Sequence, residues 1–299
     1  MHLFHAALVS FAERREIKMK SFVKVCLVTA LCCIIAGICI IAAVQPMWPW
    51  EDEETSVGME EMQFSWEKTE DIKQMDVQIK VGTVTITEGE YFHVSMEDIN
   101  EEDISCYVEN QVLHILDRRS ASETVTVVPV SIQTAEADIV ITVPEGFQPE
   151  KLSLELGAGE MHVEGLETET LWVKAGAGSI ILDGLCAKQA VEFQIGTGEI
   201  RAYDFVGQNM MAKCGVGELY VNGSLIGENN IDCGIGEVLC ELSGKEEDYS
   251  YAVDCGIGEV VIGTEEYYGI SKNSKTGTGE DKFKVHCGIG SVKISFQKN

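Results

Sequence analysis

The sequence has little proline and few cations. Five of its 299 residues are proline, against 29 glycines. Without the three-residue period of collagen, this much glycine indicates positions where the backbone needs positive φ or lies close to a neighbouring chain. Twenty-two lysines and arginines oppose 49 aspartates and glutamates, a net charge of -27. Such a chain repels phosphate backbones and anionic lipid, which excludes nucleic-acid binding and leaves solubility, cation association or a basic partner open.

The sequence also lacks the short motifs of enzymes. It contains no Gly-x-Ser-x-Gly and no His-Glu-x-x-His, and no Cys-x-x-Cys after residue 50. Its Gly-x-Gly pairs neither open a helix nor continue into the further glycines or lysine of a phosphate loop. The histidines after residue 50, which form no catalytic set, are His93, His114, His162 and His286. We therefore predict no enzyme activity, no catalytic residues, no cofactor and no metal centre, and we expect His286 on a solvated face.

A glycine-centred unit recurs seven times from residue 152 onward. Each copy has three alternating apolar residues, then Gly-x-Gly, usually Glu, and further alternation. The first glycines, separated by 19, 20, 19, 19, 22 and 32 residues, are Gly157, Gly176, Gly196, Gly215, Gly234, Gly256 and Gly288. Regular repeats of this length are typical of solenoids.

One unit predicts two short strands joined at a bend. Leu152, Leu154 and Leu156 point to one side, and the alternation slips at Gly159, as expected at a bend or bulge. A single unit cannot bury its apolar face, but copies stacked about 4.8 Å apart share a core. The predicted fold is all-β, a parallel β-solenoid of about 19–20 residues per coil, with right-handed coiling favoured. A β-sandwich is the alternative, but hairpin dipeptides occur only at Asn222-Gly223 and Asp183-Gly184.

The two ends of the repeat array are less regular. Residues 64–150 alternate as short strands between acidic turns, and they are predicted to be a β-rich cap that includes a degraded repeat at Met75–Ile86. The solenoid repeats are assigned to 151–299. The 32-residue step contains a Ser/Lys/Gly-rich segment, which is predicted to be an inserted loop or hairpin around 264–281, with an eighth coil as the alternative.

The N-terminal region predicts a single membrane anchor. Residues 25–44 carry no charge and are long enough for a transmembrane helix. Lysines precede them and tryptophans and acids follow, so residues 1–24 are expected in the cytoplasm and the C-terminal part outside the cell. A cleaved signal peptide is the alternative. Residues 1–18 fit a start-site extension, and residues 45–63 form an acidic tether.

One outward position of the repeat is predominantly acidic. In-register stacking would place Glu199, Glu218, Glu237 and Glu259 in a line at coil spacing. Carboxylates about 5 Å apart repel one another. The line is predicted to be a solvated stripe, with a bound divalent cation as the alternative.

One inward position is occupied by cysteine in four repeats, at Cys214, Cys233, Cys255 and Cys287. Zinc prefers ligands around a point, whereas this position forms a line, and parallel neighbours give poor disulfide torsions. They are predicted to be small buried apolar residues.

The Cys-Gly-Ile-Gly-Glu-Val segments and their variants, at about 20-residue spacing after one membrane anchor, resemble the bacterial "putative adhesin" β-solenoid family of unknown function. The resemblance covers about 64–299 and implies no catalytic residues. The predicted anchor, the acidic external part and the lack of an active site favour a membrane-anchored surface interaction module with a protein or glycan ligand. An accessory or sensor of envelope-stress signalling is a second implied role. An extracellular polysaccharide-acting enzyme is a third hypothesis, which would need aligned basic and acidic residues on one strand face.

Overall fold

A computed structural model describes residues 62–66, 72–97, 99–100, 102–119, 137–268 and 271–297. All of them belong to one compact unit. Among these residues no helix has the length and apolar character needed to cross a bilayer. The predicted helix at 25–44, residues 1–24 and most of the tether lie outside the described residues.

The described chain forms twenty-one strands and a 3₁₀ turn at Glu246–Asp248. The first ten strands are β1 (Met62–Trp66), β2 (Gln74–Gly89), β3 (Phe92–Glu97), β4 (Ile104–Glu109), β5 (Val112–Asp117), β6 (Ala137–Pro144), β7 (Lys151–Glu164), β8 (Glu167–Ala175), β9 (Ser179–Asp183) and β10 (Cys186–Ile195). The remaining strands are β11 (Glu199–Gln208), β12 (Met210–Cys214), β13 (Glu218–Ile226), β14 (Glu228–Cys233), β15 (Glu237–Ser243), β16 (Tyr249–Cys255), β17 (Glu259–Ile262), β18 (Glu265–Tyr268), β19 (Ser271–Gly277), β20 (Asp281–Cys287) and β21 (Ser291–Gln297).

Each coil places alternate apolar side chains in a common core. In β7, Leu152, Leu154 and Leu156 are fully buried, and the residues between them are partly exposed. The alternation resumes after the bend with Met161 and Val163, which are also fully buried. The period-two pattern therefore builds the interior that the sequence predicts.

Two ladders of parallel strands run the length of the stack. The strands before the bend pair in the order β2, β7, β8, β10, β12, β14, β20 and β16. Those after it pair in the order β2, β7, β9, β11, β13, β15, β21 and β17. The all-β, solenoid-like prediction is confirmed, and the parallel pairing is the opposite of an antiparallel meander.

The stack does not follow chain order at its far end. Strands β20 and β21, the last of the described strands in sequence, lie between β14–β15 and β16–β17. The chain therefore skips one coil position, builds β16–β17 beyond it, and returns to fill the gap. This detour includes β18 and β19, within the predicted insertion at 264–281. Both are antiparallel edge strands, β18 on β17 and β19 on β16.

The near end is closed by antiparallel strands within the predicted cap. Strand β2 is itself a coil, because Gly82 lies opposite Gly159 and Ile79 opposite Leu156 in parallel register. Parallel β5 and β6 cover its open side, and antiparallel β4, β3 and β1 continue outward from them. Antiparallel closure of this kind ends a parallel ladder without a long exposed template for another chain.

A buried ion pair joins this cap to β2. The Asp117 carboxylate, whose side chain is fully buried, accepts hydrogen bonds from the Arg119 guanidinium and from the Lys80 amide at 2.9 Å. Burial alone would raise the pKa of Asp117, but these hydrogen bonds and the guanidinium charge hold it below its usual value. The carboxylate is therefore charged and fully engaged at neutral pH.

Candidate functional site

The bend at each Gly-x-Gly requires glycine because successive coils approach closely there. A Cβ added to Gly217 would lie 2.0 Å from the carbonyl oxygen of Gly198, and one added to Gly290 would lie 2.1 Å from that of Gly236. Both distances are far inside van der Waals contact. The glycine pairs are thus explained by the stacking of backbones rather than by phosphate binding.

The backbone ladder continues through the bend without interruption. The Gly215 carbonyl accepts hydrogen bonds from the Ile235 amide at 2.8 Å and the Gly236 amide at 3.2 Å, and the Gly217 carbonyl accepts one from the Glu237 amide at 3.0 Å. The same pattern recurs at Gly288 and Gly290. Every residue of the bend is therefore held in register, and the side chain between the two glycines is fixed at an outer corner.

The four cysteines of the inward position support this corner from inside. They follow one another across the stack in the order Cys214, Cys233, Cys287 and Cys255, and all are buried free thiols. Each Sγ donates a hydrogen bond to the carbonyl of the second glycine of its own bend, at 3.1, 3.2, 3.1 and 3.2 Å in that order. Burial raises the pKa of Cys287 to about 12, so its thiol stays protonated and can donate.

The outer corner carries a line of exposed aliphatic side chains, which we call the corner row. Its members, in spatial order, are Val216, Ile235, Ile289 and Ile257, with exposed fractions of 59%, 60%, 60% and 79%. They occupy the position between the glycines in four successive coils. Isolated exposed aliphatic residues are common on proteins, but an aligned set of four is a continuous apolar surface.

The predicted glutamate line lies beside the corner row, with one correction. Glu199 is opposite Glu218, and Glu218 is opposite Glu237, as expected. Ser291, however, lies between Glu237 and Glu259, so the expected adjacency of those two glutamates is wrong. The reason is the return of the last coil into the stack, which chain order does not reveal.

The repulsion along this line is reduced differently in its two halves. The Glu199 carboxylate accepts a hydrogen bond from Ser179 at 2.8 Å and pairs with the Arg201 guanidinium at 3.0 Å, and Arg201 also lies 3.7 Å from Glu218. The Ser179 hydrogen bond, assisted by Arg201, lowers the pKa of Glu199. Glu237 and Glu259 have no cationic partner within the described part of the chain, and Ser291 simply separates them.

Together the corner row and the glutamates line an open groove of about 1060 Å³. Glycine backbones form its floor, and Tyr268 on edge strand β18 lies at its far end. Glutamate is the only charged residue type among its lining residues. The groove therefore combines an aliphatic line with negative charge over several coils.

The other predicted chemistry is dispersed. His114 lies 3.4 Å from Asp76, His162 lies 3.5 Å from Glu164, and the exposed His286 lies 3.9 Å from Asp254, each on a different strand. No group of three or more His, Cys, Asp or Glu residues within the described ranges is arranged to hold a metal ion. The solvated stripe predicted for Glu199, Glu218, Glu237 and Glu259 stays a prediction, with a bound divalent cation as its alternative.

The basic and acidic residues expected for polysaccharide chemistry do not form one line. Lys174 and Lys213 share an outward position, which His286 occupies in the last coil, but Lys284 lies two residues earlier, opposite Asn230 and Ala252. Lys174 is paired with Glu155 at 2.6 Å and Lys213 with Glu192 at 3.6 Å. The lysines therefore balance neighbouring carboxylates in the sheet.

Sequence reasoning identified the glutamate line and the cysteine line but missed the corner row. Interpreting the glycine pairs as bends assigns no function to the residue between the two glycines. The signal was present, since this residue changes from Ala158, Ala177 and Thr197 to valine and isoleucine in the later repeats.

Comparison with known proteins places the chain in a family. The model of the Toastrack DUF4097 family matches residues 129–295, more than half of the chain. A putative adhesin from Bacteroides fragilis NCTC 9343 is 15% identical with a TM-score of 0.43, covering 80% of this chain and 98% of its own. A putative cell adhesion protein from Clostridium sporogenes ATCC 15579 is 18% identical with a TM-score of 0.33, covering 80% and 100%. No curated protein matches the sequence. The family match confirms the resemblance indicated by the glycine repeat, and the chain belongs to the Toastrack DUF4097 family.

Proposed function

We propose that this protein is a non-catalytic surface interaction module, displayed outside the cell by a single N-terminal membrane anchor. The observation that carries the proposal is the corner row, four aliphatic side chains that are 59% to 79% exposed along one groove. The inward-facing apolar positions of the coils are buried, and the fold gains no stability from placing these four side chains in water. Their exposure is explained if another molecule covers them.

The anchor and the orientation of the chain rest on the sequence. Residues 25–44 carry no charge, lysines precede them, and Trp48 and Trp50 follow. This arrangement favours a cytoplasmic N-terminus, a single membrane crossing and an extracytoplasmic C-terminal domain. The proposed partners are the membrane, which the anchor crosses, and a protein or glycan surface, which the extracytoplasmic domain binds.

The absence of catalysis is part of the proposal and is supported by the dispersal of reactive groups. The four buried thiols are engaged with glycine carbonyls inside the stack, and the described histidine–carboxylate pairs lie on separate strands. An active site needs such groups to converge on one substrate position.

The proposal is tested with the full chain on intact bacterial cells. A C-terminal epitope should be accessible to antibody without permeabilisation, and the cells should adhere to at least one member of an array of immobilised proteins and glycans. Adhesion should be lost with Ile235→Ser/Ile289→Ser. It should persist with Val206→Ser/Ile226→Ser, a matched pair of aliphatic residues exposed by 45% and 43% outside the groove.

Two results would contradict the proposal. The first is an inaccessible epitope, and the second is a chain that binds no surface or binds equally well with both double variants. Replacing 25–44 with an unrelated transmembrane helix should preserve adhesion. Loss of adhesion after that replacement would favour a role in which the anchor itself contacts another membrane protein.

A further inference from the structure

We propose that the groove binds an amphipathic α-helix whose apolar stripe covers the corner row and whose lysine or arginine side chains face the adjoining glutamates. The inference rests on the proposed interaction function and specifies the class of partner. Three features support it. The fold does not need the corner row, the spacing of its side chains matches a helix, and the groove is negatively charged.

The fold does not require the corner row. The same corner is occupied by Ala177 and Thr197 in two earlier coils, where the amides of the corner residue and of the second glycine donate to the first-glycine carbonyl of the preceding coil, as in the later coils. Valine and isoleucine at a solvent-facing corner therefore add apolar surface without a structural need. These two coils supply the control, because the hydrogen bonds of the bend are the same while the corner side chain differs.

The spacing of the row matches a helix better than a strand. Parallel coils are stacked about 4.8 Å apart, so four corner side chains extend over about 14 Å. A helix lying along the row presents a side chain every 5.4 Å on one face, a mismatch of about 0.6 Å per coil. An extended strand presents one about every 6.8 Å and loses register after one coil. Three helical turns, with apolar residues at i, i+3 or i+4, i+7 and i+11, would cover the row.

The charge of the groove selects a basic partner. Four glutamates line it and no lysine or arginine does, in a chain whose net charge is -27. Glu237 and Glu259 lie beside Ile235 and Ile257 and have no ion pair within the described ranges, so they are available to a cation. In the other half of the groove, Arg201 already forms ion pairs with Glu199 and Glu218. Basic residues on the partner should therefore be concentrated at the end of the groove near Tyr268.

The test uses the full chain in uncharged detergent micelles and three synthetic peptides of identical leucine and lysine content. The first places leucines on one helical stripe with lysines along one side, the second alternates them as in a strand, and the third is scrambled. Fluorescence anisotropy measures binding at low and high salt, with protein-free micelles as the blank. We expect the helical peptide to bind at least about tenfold more tightly than the other two, and more weakly as salt rises.

Variants locate the binding surface. Ile235→Ser/Ile289→Ser should weaken binding of the helical peptide by about tenfold or more, while Val206→Ser/Ile226→Ser should leave it unchanged. Glu237→Gln/Glu259→Gln should weaken binding of the helical peptide several-fold, and only at low salt. Glu145→Gln/Glu247→Gln, which removes two exposed carboxylates outside the groove, should leave this binding unchanged.

Equal binding of the three peptides, or no effect of the Ile235→Ser/Ile289→Ser change, would overturn the inference. So would concentration-dependent self-association that this double variant abolishes while no peptide binds, since the occupant would then be a second copy of the chain. If the helical peptide fails but cells still adhere through the corner row, the interaction function stands and only the helical partner is wrong. If neither is observed, both are wrong.

Discussion

The early and late coils of the stack share the Gly-x-Gly segment but differ at two positions around it. In the early coils the inward position holds Leu156, Ala175 and Ile195, and the outward corner holds alanine or threonine. In the late coils the inward position holds a cysteine, and the corner holds valine or isoleucine. The thiol adds a hydrogen bond to the bend that an aliphatic side chain cannot make. The late coils thus pair a reinforced bend with an exposed apolar corner, which is the arrangement expected of a surface that another molecule covers.

The largest expected effect comes from adding a methyl group at the bend. We expect Gly217→Ala to destabilise the protein by about 3 kcal/mol and Gly178→Ala by about 1 kcal/mol. The added Cβ would lie 2.0 Å from a backbone oxygen at Gly217, but 2.9 Å from a backbone oxygen and 2.8 Å from a flexible leucine carbon at Gly178. Urea denaturation measures both. Not all early coils have this room, since a Cβ at Gly198 would lie 2.1 Å from a backbone oxygen. Equal losses would show that the extra space at Gly178 does not accommodate the added methyl group.

The second effect concerns the thiol hydrogen bond. We expect Cys233→Ala to reduce the free energy of unfolding by about 1–2 kcal/mol, through the lost hydrogen bond and a small cavity. Alanine is already the inward residue at Ala175, so the coil should still form and the circular dichroism spectrum should not change. Thermal denaturation of the variant with Cys186→Ala, a half-buried thiol outside the bends, gives the matched control. If Cys233→Ala and Cys186→Ala lower the melting temperature equally, the hydrogen bond of the Cys233 thiol does not stabilise the bend.

The third effect is a dependence on pH that belongs to the early half of the glutamate line. The hydrogen bond from Ser179 lowers the folded pKa of Glu199, so its contribution is present above the unfolded pKa and is lost as pH falls through the folded value. Because the side chain is partly exposed, the contribution is a few tenths of a kcal/mol. Glu199→Gln should flatten the stability profile below about pH 4.5 relative to the wild-type chain. Identical profiles of the variant and the wild-type chain would contradict a stabilising role for the Ser179–Glu199 hydrogen bond.

The smallest effect is expected at the corner row itself. Ile235→Ser/Ile289→Ser should change the free energy of unfolding by less than about 0.5 kcal/mol, because both side chains are 60% exposed. Chemical denaturation beside the wild-type chain is the measurement. A loss above about 2 kcal/mol would mean that these side chains stabilise the fold, and the argument for a binding surface would fail.

Much of one coil could be predicted from the sequence, because alternation and glycine pairs act locally. Leu152, Leu154 and Leu156 face the core as predicted, and Gly159 lies at the bend. The order of the coils could not be predicted, since the segments around Cys233, Cys255 and Cys287 are nearly identical and any of them can stack on any other. Nothing in such repeats distinguishes a neighbour in sequence from a neighbour in space.

The candidate site was predictable only in part, for the same reason. The line of glutamates follows from the repeat, but the position of Ser291 within it depends on where the last coil lies. The corner row depends on which side of the bend faces water, and alternation does not settle this between two glycines. The predicted anchor at 25–44 and the start-site extension at 1–18 lie outside the described residues and stay predictions.

The coil formed by β20 and β21 connects two coils that both precede it in sequence. Strands β20 and β21 follow all the other described strands in sequence, yet they fill a gap with a coil on either side. Before β20 and β21 pair there, the backbone groups of β14–β15 and β16–β17 that face the gap are unpaired. Folding of this part of the stack therefore cannot be completed before residues 281–297 have been synthesised, and a chain that lacks them would carry two open β-edges in mid-stack, the condition under which chains pair wrongly with one another.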